Sequence, residues 1–229
     1  MEFTKLSNRL DLVASFVPEG AHLLDVGSDH AYLPIALLQE GKIEAAIAGE
    51  VVEGPYQSAL QNVADNGLED KIEVRLANGL AAFEPTDSIS CITIAGMGGR
   101  LIADILAAGL EKLPGVSRLV LQPNNREDEL RTWLVDHDFH LVDEAILEEN
   151  EKFYEILVVE PGSQELSAKE LRFGPYLMRE QAPAFVQKWS KEVEKLAFAL
   201  EQVPVENQSA RASLEERIAQ IKEVLNESK

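Results

Sequence analysis

The sequence predicts an α/β fold: a doubly wound, mostly parallel seven-stranded sheet with an α-helical extension at its C-terminal end. Between residue 22 and about residue 160, short apolar runs rich in β-branched side chains alternate with amphipathic helical stretches. The last two runs are separated only by the polar turn "ENEK", and after Gly162 the pattern becomes helical. A chain of 229 residues with 45% hydrophobic composition is long enough for one α/β domain and an appendage.

The predicted strands are seven apolar runs, at residues 22–27, 45–51, 71–77, 89–96, 117–123, 139–149 and 152–161. Between them lie helical stretches near residues 33–41, 54–66, 99–109 and 126–137. Since no helix separates the last two runs, we expect them to pair as an antiparallel hairpin at one edge of the sheet. This arrangement resembles the class I S-adenosylmethionine-dependent methyltransferase fold, which is a likeness of fold alone until residues support it.

Helices also precede and follow the sheet. Leu6, Leu10 and Val13 recur at helical spacing, which predicts an N-terminal helix over the mouth of the first strand. Residues 167–202 and 209–227 carry helical patterns joined by "VPVENQ". Their apolar stripes are Trp189, Val193, Leu196 and Leu200 on the first, and Leu214, Ile218, Ile221 and Leu225 on the second. We expect an antiparallel, coiled-coil-like hairpin, and hence two domains, 1–162 and 163–229.

The charge of the chain is distributed unevenly. The formal net charge is −19, and residues 1–162 contain 11 Lys and Arg against 29 Asp and Glu, whereas residues 163–229 contain 10 against 11. Phosphate contacts require local Lys and Arg, so the acidic part disfavours a nucleic acid. If the protein binds a polyanion, the C-terminal segment is the less repulsive surface.

Cysteine content and hydropathy narrow the class of protein. Cys91 is the single cysteine and lies within the apolar run "ISCITIAG", so we expect a reduced, buried thiol, with no disulfide and no metal site. No apolar run approaches the roughly 20 residues of a membrane span. The start of the chain is amphipathic and unlike a signal peptide. We therefore expect a soluble, cytoplasmic protein without a membrane segment.

The loop after the first strand, "DVGSDHAYLP", begins the candidate site. Dinucleotide enzymes carry several glycines here because a pyrophosphate approaches bare backbone at a helix N-terminus. This loop places Asp29 where it would repel phosphate, which argues against NAD and ATP. S-adenosylmethionine carries an ammonium group and a sulfonium, so we expect it to bind at Asp25, Gly27, Ser28, Asp29 and His30. Asp29 could instead simply cap the following helix, and the two roles are compatible.

Two further strand ends extend the cofactor hypothesis. Glu50 ends the second strand, 25 residues after Asp25, where Rossmann-like folds hold ribose hydroxyls through an acidic side chain. The alternative is a solvent-facing glutamate. After the third strand, Asn78 could contact the adenine edge, and Gly79 permits close approach of the backbone.

The fourth and fifth strands end in "AGMGG" and "QPNN". The glycine-rich loop predicts cofactor contacts by Ala95, Gly96 and Met97 and a substrate contact by Gly98, although a tight strand-to-helix turn would also use glycine. Gln122 and Asn124 flank Pro123, which we also place at the substrate, and display amide groups toward it. Capping of the next helix is the competing role of the asparagines.

Taken in order, "DVGSDHAYLP", "AGMGG" and "QPN" resemble the bacterial tRNA adenine-1-methyltransferases that modify adenine 22, the TrmK type. The resemblance covers essentially the whole chain, including "LSNRL" near the start and the helical extension. It implies a class I methyltransferase domain with a coiled-coil-like C-terminal domain. It also implies transfer of a methyl group from S-adenosylmethionine to ring nitrogen 1 of that adenine in tRNA.

This reaction suggests roles for the candidate catalytic residues. Ring nitrogen 1 has its own lone pair, so positioning of the base supplies most of the acceleration. The adenine becomes cationic, and Asp29 is our candidate for the carboxylate that stabilises it. Gln122 and Asn124 would hydrogen-bond the base edge, while Met97 or Tyr32 offers an apolar face for stacking.

Substrate contacts outside the pocket are expected from Arg9, over the pocket mouth, and from Lys188, Lys191 and Lys195 on one helical face. The lysines could equally be a solvated face. Two rival functions stay open from the residues alone: a methyltransferase for a small molecule or protein, and a non-enzymatic Rossmann-like interaction module. We expect a tRNA partner and a monomer.

Overall fold

The computed structural model describes residues 4–227. Its sheet has seven strands in the order β3-β2-β1-β4-β5-β7-β6. The strands are β1 (Ala21–Val26), β2 (Ile43–Glu50), β3 (Ile72–Leu76), β4 (Cys91–Met97), β5 (Arg118–Pro123), β6 (Phe139–Glu149) and β7 (Lys152–Pro161). The first five pair in parallel, and β7 pairs antiparallel with both β5 and β6. The predicted α/β fold with its edge hairpin is confirmed.

Helices cover both faces of this sheet. They are α1 (Asn8–Ser15), α2 (Tyr32–Gln39), α3 (Glu53–Asp65), α4 (Gly99–Ala108), α5 (Glu127–Asp136), α6 (Ala168–Phe173), α7 (Pro175–Glu180), α8 (Pro183–Gln202) and α9 (Gln208–Asn226). Their apolar stripes form two cores, with α4 and α5 contributing to one and α1, α2 and α3 to the other. The β-branched strand residues between these layers are buried on both faces, as parallel sheets require.

The first helix, α1, packs against α2, β4, β5 and β6. Val13 and Ala14 are its buried residues, and they belong to the core shared with β4 and β7. Ser7 caps the helix by accepting a hydrogen bond from the Leu10 amide, at 3.3 Å. This position brings the side chain of Arg9 to the ends of β4 and β5.

The helical extension is also confirmed, but its first half is not one helix. Residues 167–202 divide into α6, α7 and α8, because Gly174 and Gln181 adopt left-handed backbone with φ of 83° and 45°. Helices α8 and α9 form the expected hairpin. Its core contains Phe173, Leu177, Phe185, Trp189, Leu196, Ile221 and Val224, together with Ile146 of β6. The extension therefore packs directly on the edge hairpin of the sheet.

Within residues 4–227, none of the helices is long and apolar enough to cross a membrane. Across that same part of the chain, no group of three or more His, Cys, Asp and Glu side chains could hold a metal ion. Cys91 is a buried free thiol, and burial raises its pKa to about 12. It is therefore an unreactive residue of the core.

Candidate active site

The candidate site lies at the carboxyl edge of the sheet, where the parallel strands end. The strand order reverses between β1 and β4, since β2 and β3 lie on one side and β5 on the other. At such a switch point the loops after the two central strands diverge and leave a crevice. Loops 27–31 and 96–99 are therefore placed to form a ligand site by the topology alone.

Asp25 holds the base of this crevice. Its carboxylate is 4% exposed and accepts hydrogen bonds from Ser28 Oγ and Thr93 Oγ1, both at 2.6 Å. Burial raises the pKa of Asp25, against these two hydroxyl bonds, which lower it. Asp25 and Ser28 were both predicted to contact the cofactor. They are buried and hydrogen-bonded to each other, so they hold the loop after β1 in its conformation.

The loop itself has an unusual backbone. Gly27 has φ of 68°, and Asp29, His30 and Ala31 follow with φ of 44°, 73° and 60°. Three successive non-glycine residues in the left-handed region carry strain that tertiary contacts must offset, and such strain clusters at ligand sites. The Gly27 and Ser28 amides donate to Gly49 O at 2.9 and 3.2 Å, and Asn62 Nδ2 donates to His30 O at 3.0 Å. These bonds hold the strained turn in place.

Asp29 does not point into a closed pocket. Its side chain is 85% exposed, and its Oδ1 lies 3.4 Å from His30 Nε2. The His30 ring in turn lies 5.4 Å from that of Tyr32, which is also exposed. The three predicted residues therefore form one exposed group at the start of α2. Asp29 makes no hydrogen bond with Gln122 or Asn124 in the described chain.

Glu50 is a buried acidic side chain at the same edge of the sheet. It is 5% exposed at the end of β2, and its Oε1 is buried without a hydrogen-bond partner in residues 4–227. Burial raises its pKa, and the charges of Asp25 and Asp29 add to this, while the Asp29 amide lowers it. A buried carboxylate oxygen without a donor costs free energy. The solvent-facing alternative is therefore wrong, because Glu50 turns inward.

The predicted adenine contacts lie beside Glu50. Asn78 is exposed, and Gly79 has φ of 54°, where a Cβ would come within 2.9 Å of Ile105 Cγ2. Val51 and Val52, which the sequence analysis did not select, are 60% and 57% exposed directly after Glu50. Two exposed valines in succession form an apolar surface suited to a flat ring.

Gln122 holds the ends of β4 and β5 together. Its fully buried side chain accepts from Arg9 Nη1 at 2.5 Å and from the Gly96 amide at 3.0 Å. It donates to Pro123 O at 2.8 Å and to Asn124 Oδ1 at 3.2 Å. All its bonding capacity is used internally, so the expectation that Gln122 reads the base edge does not fit, and Gln122 is a positioning residue.

Asn124 remains exposed at the substrate side. Its side-chain Nδ2 donates to Gly96 O at 2.7 Å, and its backbone N–H donates to Met97 O at 2.7 Å. Asn124 therefore holds the glycine loop in place, and the second N–H of its side-chain amide makes no hydrogen bond within residues 4–227. Pro123 is buried, so it shapes the turn and leaves little surface for a base to contact. Capping by these asparagines is not observed at α5, whose N-cap is Arg126.

The glycines of "AGMGG" serve different purposes. Gly99 has a structural purpose, since a Cβ there would lie 2.5 Å from Arg126 O. Gly96 is exposed with φ of 78°, and Gly98 faces the Asn125 side chain. Ala95, before Gly96, and Met97, between Gly96 and Gly98, are half-buried. A Cβ on Gly27 would come within 2.4 Å of Met97 Cε, so Met97 spans the crevice between the two central loops.

Arg9 closes the edge on the β5 side. Besides its bond to Gln122, its guanidinium lies 5.5 Å from the ring centre of Tyr154 on β7 and near Gly96. Within the described chain Arg9 forms no ion pair with a carboxylate. Tyr154 was missed in the sequence, because a half-buried strand tyrosine gives no signal until the register of β7 is known.

Lys188 does not belong to the exposed lysine face predicted for α8. Its side chain is 21% exposed and pairs with Glu155 at 2.7 Å and with Glu127 at 2.9 Å. The spacing of 3 and 4 residues was correct, but the first lysine of the three faces the sheet. Lys191 and Lys195 are exposed, and they pair with Glu148 at 3.1 Å and Glu192 at 3.5 Å.

Comparisons with known proteins cover almost the whole chain. The model of the TrmK family, tRNA (adenine(22)-N(1))-methyltransferase, matches residues 23–223. The tRNA (adenine(22)-N(1))-methyltransferase of Bacillus subtilis (strain 168) is 42% identical over 238 residues, covering 99% of each chain. A candidate tRNA (m1A22) methyltransferase from Streptococcus pneumoniae is 66% identical with a TM-score of 0.96, covering 97% of this chain and 100% of that one. Its complex with S-adenosyl-L-methionine gives 65% identity and a TM-score of 0.90, with the same coverage.

The extent of these matches decides between the functional hypotheses. They include the helical extension as well as the sheet, which a fold-level likeness to methyltransferases in general would not do. The matches thus favour neither a small-molecule enzyme nor a non-enzymatic module. This chain belongs to the TrmK family of tRNA (adenine(22)-N(1))-methyltransferases.

Proposed function

We propose that the carboxyl edge of the sheet binds S-adenosylmethionine and presents it to ring nitrogen 1 of adenine 22 of a tRNA. The observation that carries this function is the family match over residues 23–223, which spans both the edge and the helical extension. With tRNA as its substrate, the protein would work in the cytoplasm, and we propose that it does so as a monomer.

The residues of the edge fit S-adenosylmethionine. Glu50 Oε1 is a buried acceptor with no donor among residues 4–227, and ribose hydroxyls would supply the donors it lacks. Val51 and Val52 offer an apolar surface beside it, with Asn78 on the next strand end. The exposed Asp29 carboxylate would face the cationic groups of the cofactor. No phosphate is needed to satisfy this loop.

When bound, S-adenosylmethionine supplies a methyl group on a cationic sulfur. Adenine accepts it through the lone pair of ring nitrogen 1, so the protein need not remove a proton before transfer. Its task is to hold the base in line with the methyl group and to exclude water. Gln122 would do this indirectly, by fixing Arg9, Gly96 and Asn124 around the base. Asp29 stays our candidate for stabilising the positive charge that the adenine gains.

Tyr154 and Arg9 would form one wall of the base pocket. Their stack places a planar guanidinium over an aromatic ring beside Gly96. Extruded RNA bases stack on aromatic rings and on arginine planes. The free N–H of Asn124 lies at the same edge and can donate to the adenine.

Contacts to tRNA beyond the pocket would come from the extension, residues 163–229, which we propose as a second domain. Lys191 and Lys195 are exposed there, whereas Lys188 supports the fold. Removing the whole segment would leave Glu155 without Lys188, so a truncation would test stability as much as binding. Point substitutions are the better probe.

Mapping of the methylated nucleotide tests the function. The purified protein, S-adenosylmethionine with a labelled methyl group and an unmodified tRNA transcript should yield methylation of ring nitrogen 1 at adenine 22. A transcript with guanine at position 22 is the matched control and should stay unlabelled. Label on another nucleotide, or equal label on both transcripts, would contradict the proposal.

A further inference from the structure

A cleft of about 540 Å³ lies between the sheet and the helical extension, and none of the residues proposed to bind the cofactor at the carboxyl edge of the sheet (the cofactor edge) lines it. Its walls come from α5 and β7 on one side and from α6, α8 and α9 on the other. The side chains that concern its ligand are four cations, Arg172, Lys191, Lys195 and Arg217, and two aromatic rings, Phe153 and Trp189. The same lining contains Lys188 and four carboxylates, Glu127, Asp128, Glu155 and Glu192.

Arg172 shows that these cations are not fully compensated. It is half-buried and donates to Gln220 Oε1 at 2.6 Å, but no carboxylate of residues 4–227 forms an ion pair with it. Its guanidinium stacks over Phe173 and Trp189, with centroid distances of 4.9 and 5.7 Å. Burial lowers the pKa of Arg172, and the charge of Arg217 lowers it further. Two arginines that repel each other at a cleft can share an anion with net gain.

Five cations and four carboxylates line the cleft, and Arg172 is the one of these cations that no ion pair compensates within residues 4–227. Glu127 and Glu155 pair with Lys188, and Lys191 pairs with Glu148 outside the lining. Glu192 is shared between Arg217 and Lys195, at 3.5 Å from each, a distance that leaves both cations room for a closer partner. Asp128 is the remaining carboxylate of the lining, and it acts on Arg172 without forming an ion pair.

The aromatic residues indicate what kind of anion fits. Phe153 lies under Lys191, with 4.7 Å from Nζ to the ring centre. Trp189 is 8% exposed, and its indole N–H is a buried donor without an acceptor in the described chain. Cations interleaved with aromatic faces are typical of surfaces that follow a nucleic-acid backbone. Arginine forks also match the geometry of phosphate oxygens.

We propose that this cleft is a phosphate-binding site for the tRNA backbone, with Arg172 and Arg217 as its main ligands. The inference rests on the proposed function, since it assumes tRNA as the substrate. The position supports it: Glu127, at the rim of the cleft, comes three residues after Asn124, which faces the base pocket. A backbone held in the cleft can thus reach the active site across residues 124–126.

Charge-neutral substitutions test the site in the full-length protein. Arg172→Gln and Arg217→Gln should each weaken binding of an unmodified tRNA transcript about tenfold and raise its KM similarly. Each should also lower the slope of log affinity against log salt by about 0.7–0.9, one released counterion. The affinity for S-adenosylmethionine and kcat should stay unchanged, because neither arginine contacts the cofactor edge. Lys222→Gln removes the same charge from an exposed position of α9 outside the cleft and should leave tRNA binding near the parent value.

A substitution in the opposite direction separates this idea from a structural role. Glu192→Gln frees Arg217 and Lys195 and should tighten tRNA binding, which damage to the fold would not do. The proposal is overturned if both arginine variants bind tRNA like the parent, or if Lys222→Gln loses as much affinity as they do. If the parent protein methylates no tRNA, the proposed function fails instead, and phosphate binding in the cleft loses its premise.

Discussion

Two regions of this molecule bury carboxylates, and they do so in opposite ways. At the cofactor edge, within residues 4–227, Asp25 accepts side-chain hydrogen bonds only from hydroxyl groups and Glu50 keeps a buried oxygen without a donor. At the junction between sheet and extension, Arg131 is 0% exposed and bonds Glu144 Oε1 at 2.7 Å and Glu155 Oε2 at 2.5 Å. The acids of the edge have no cationic partner within residues 4–227 and are available to a ligand, whereas those of the junction form ion pairs with Arg131.

The pKa values of Glu50 and Glu155 shift in opposite directions. Burial raises the pKa of Glu50, and no cation in the described chain forms an ion pair with it. At the junction, burial also acts to raise the pKa of Glu155, but the charges of Arg131 and Lys188 outweigh it and the pKa falls. At Glu144 burial outweighs the charge of Arg131 and the pKa rises, so the contrast in pKa holds for Glu155, which has two cationic partners. The comparison teaches that an unpaired buried acid marks the site better than acidity itself.

Breaking the junction should have the largest effect. Arg131→Met leaves Glu144 and Glu155 facing each other without their shared cation, and we expect it to lower the free energy of unfolding by about 3–5 kcal/mol. Urea unfolding followed by circular dichroism measures this. Arg126→Gln, which removes an exposed arginine paired with Glu129 on the same helix, is the control and should cost under about 1 kcal/mol. Equal stability of Arg131→Met and the parent would show that the junction does not hold the two parts together.

The same approach at the cofactor edge should affect binding rather than stability. Glu50→Gln removes an ionised acceptor, and we expect S-adenosylmethionine to bind about 10- to 100-fold more weakly, which corresponds to about 1.4–2.8 kcal/mol. Since Glu50 Oε1 lacks a donor within residues 4–227, the free energy of unfolding should stay equal or rise. Calorimetric titration and urea unfolding give both values.

Glu44→Gln is the matched control for this change, because Glu44 lies on the same strand with its side chain 69% exposed. It should bind S-adenosylmethionine like the parent. A Glu50→Gln variant that binds normally, or one that unfolds much more easily, would place Glu50 with the structural acids of the junction.

The sequence predicts one half of this comparison far better than the other. In this type of fold, ligands bind at the carboxyl ends of the strands. Asp25, Glu50 and the loops after β1 and β4 could therefore be located from the predicted strand ends and their order along the chain. The junction could not, because Arg131, Glu144 and Glu155 come from α5, β6 and β7, and only the antiparallel register brings them together.

Side-chain direction is the other limit of the sequence. Lys188, Lys191 and Lys195 share a helical spacing, yet one of them points into the protein, since Glu155 lies beneath it. Gln122 was selected for its amide groups, but the Arg9 and Gly96 partners that occupy it come from distant segments. Spacing fixes which residues lie near an edge, and long-range hydrogen bonds decide which of them are free to react.

A substitution in the loop after β1 should have a smaller effect, and it should lower both stability and cofactor affinity. Gly27→Ala forces a side chain into left-handed backbone at φ of 68°, which costs about 1–2 kcal/mol, and it brings Cβ to 2.4 Å from Met97 Cε. We expect a lower melting temperature and weaker S-adenosylmethionine binding together. Adding Met97→Ala should relieve the contact but not the backbone strain, so stability should recover only in part. Complete recovery would mean that the backbone at Gly27 is not strained.

The smallest effect should be a difference between the pH at which cofactor binding is lost and the pH at which the protein unfolds. Ionised Glu50 is the form that we propose binds ribose, and its pKa lies above the usual 4.5, so cofactor affinity should fall once the pH drops through that raised value. Glu155 has its pKa lowered in the fold, so its contribution to stability is present above about 4.5 and is lost only as the pH falls through the lower, folded value. Cofactor binding should therefore fail at a higher pH than the fold, as titration calorimetry and circular dichroism over one pH series would show. Glu50→Gln should remove the pH dependence that Glu50 contributes to binding while leaving acid unfolding in place. Coincident transitions in the parent protein would mean that the two sets of acids titrate alike, and that the contrast between edge and junction does not extend to protonation.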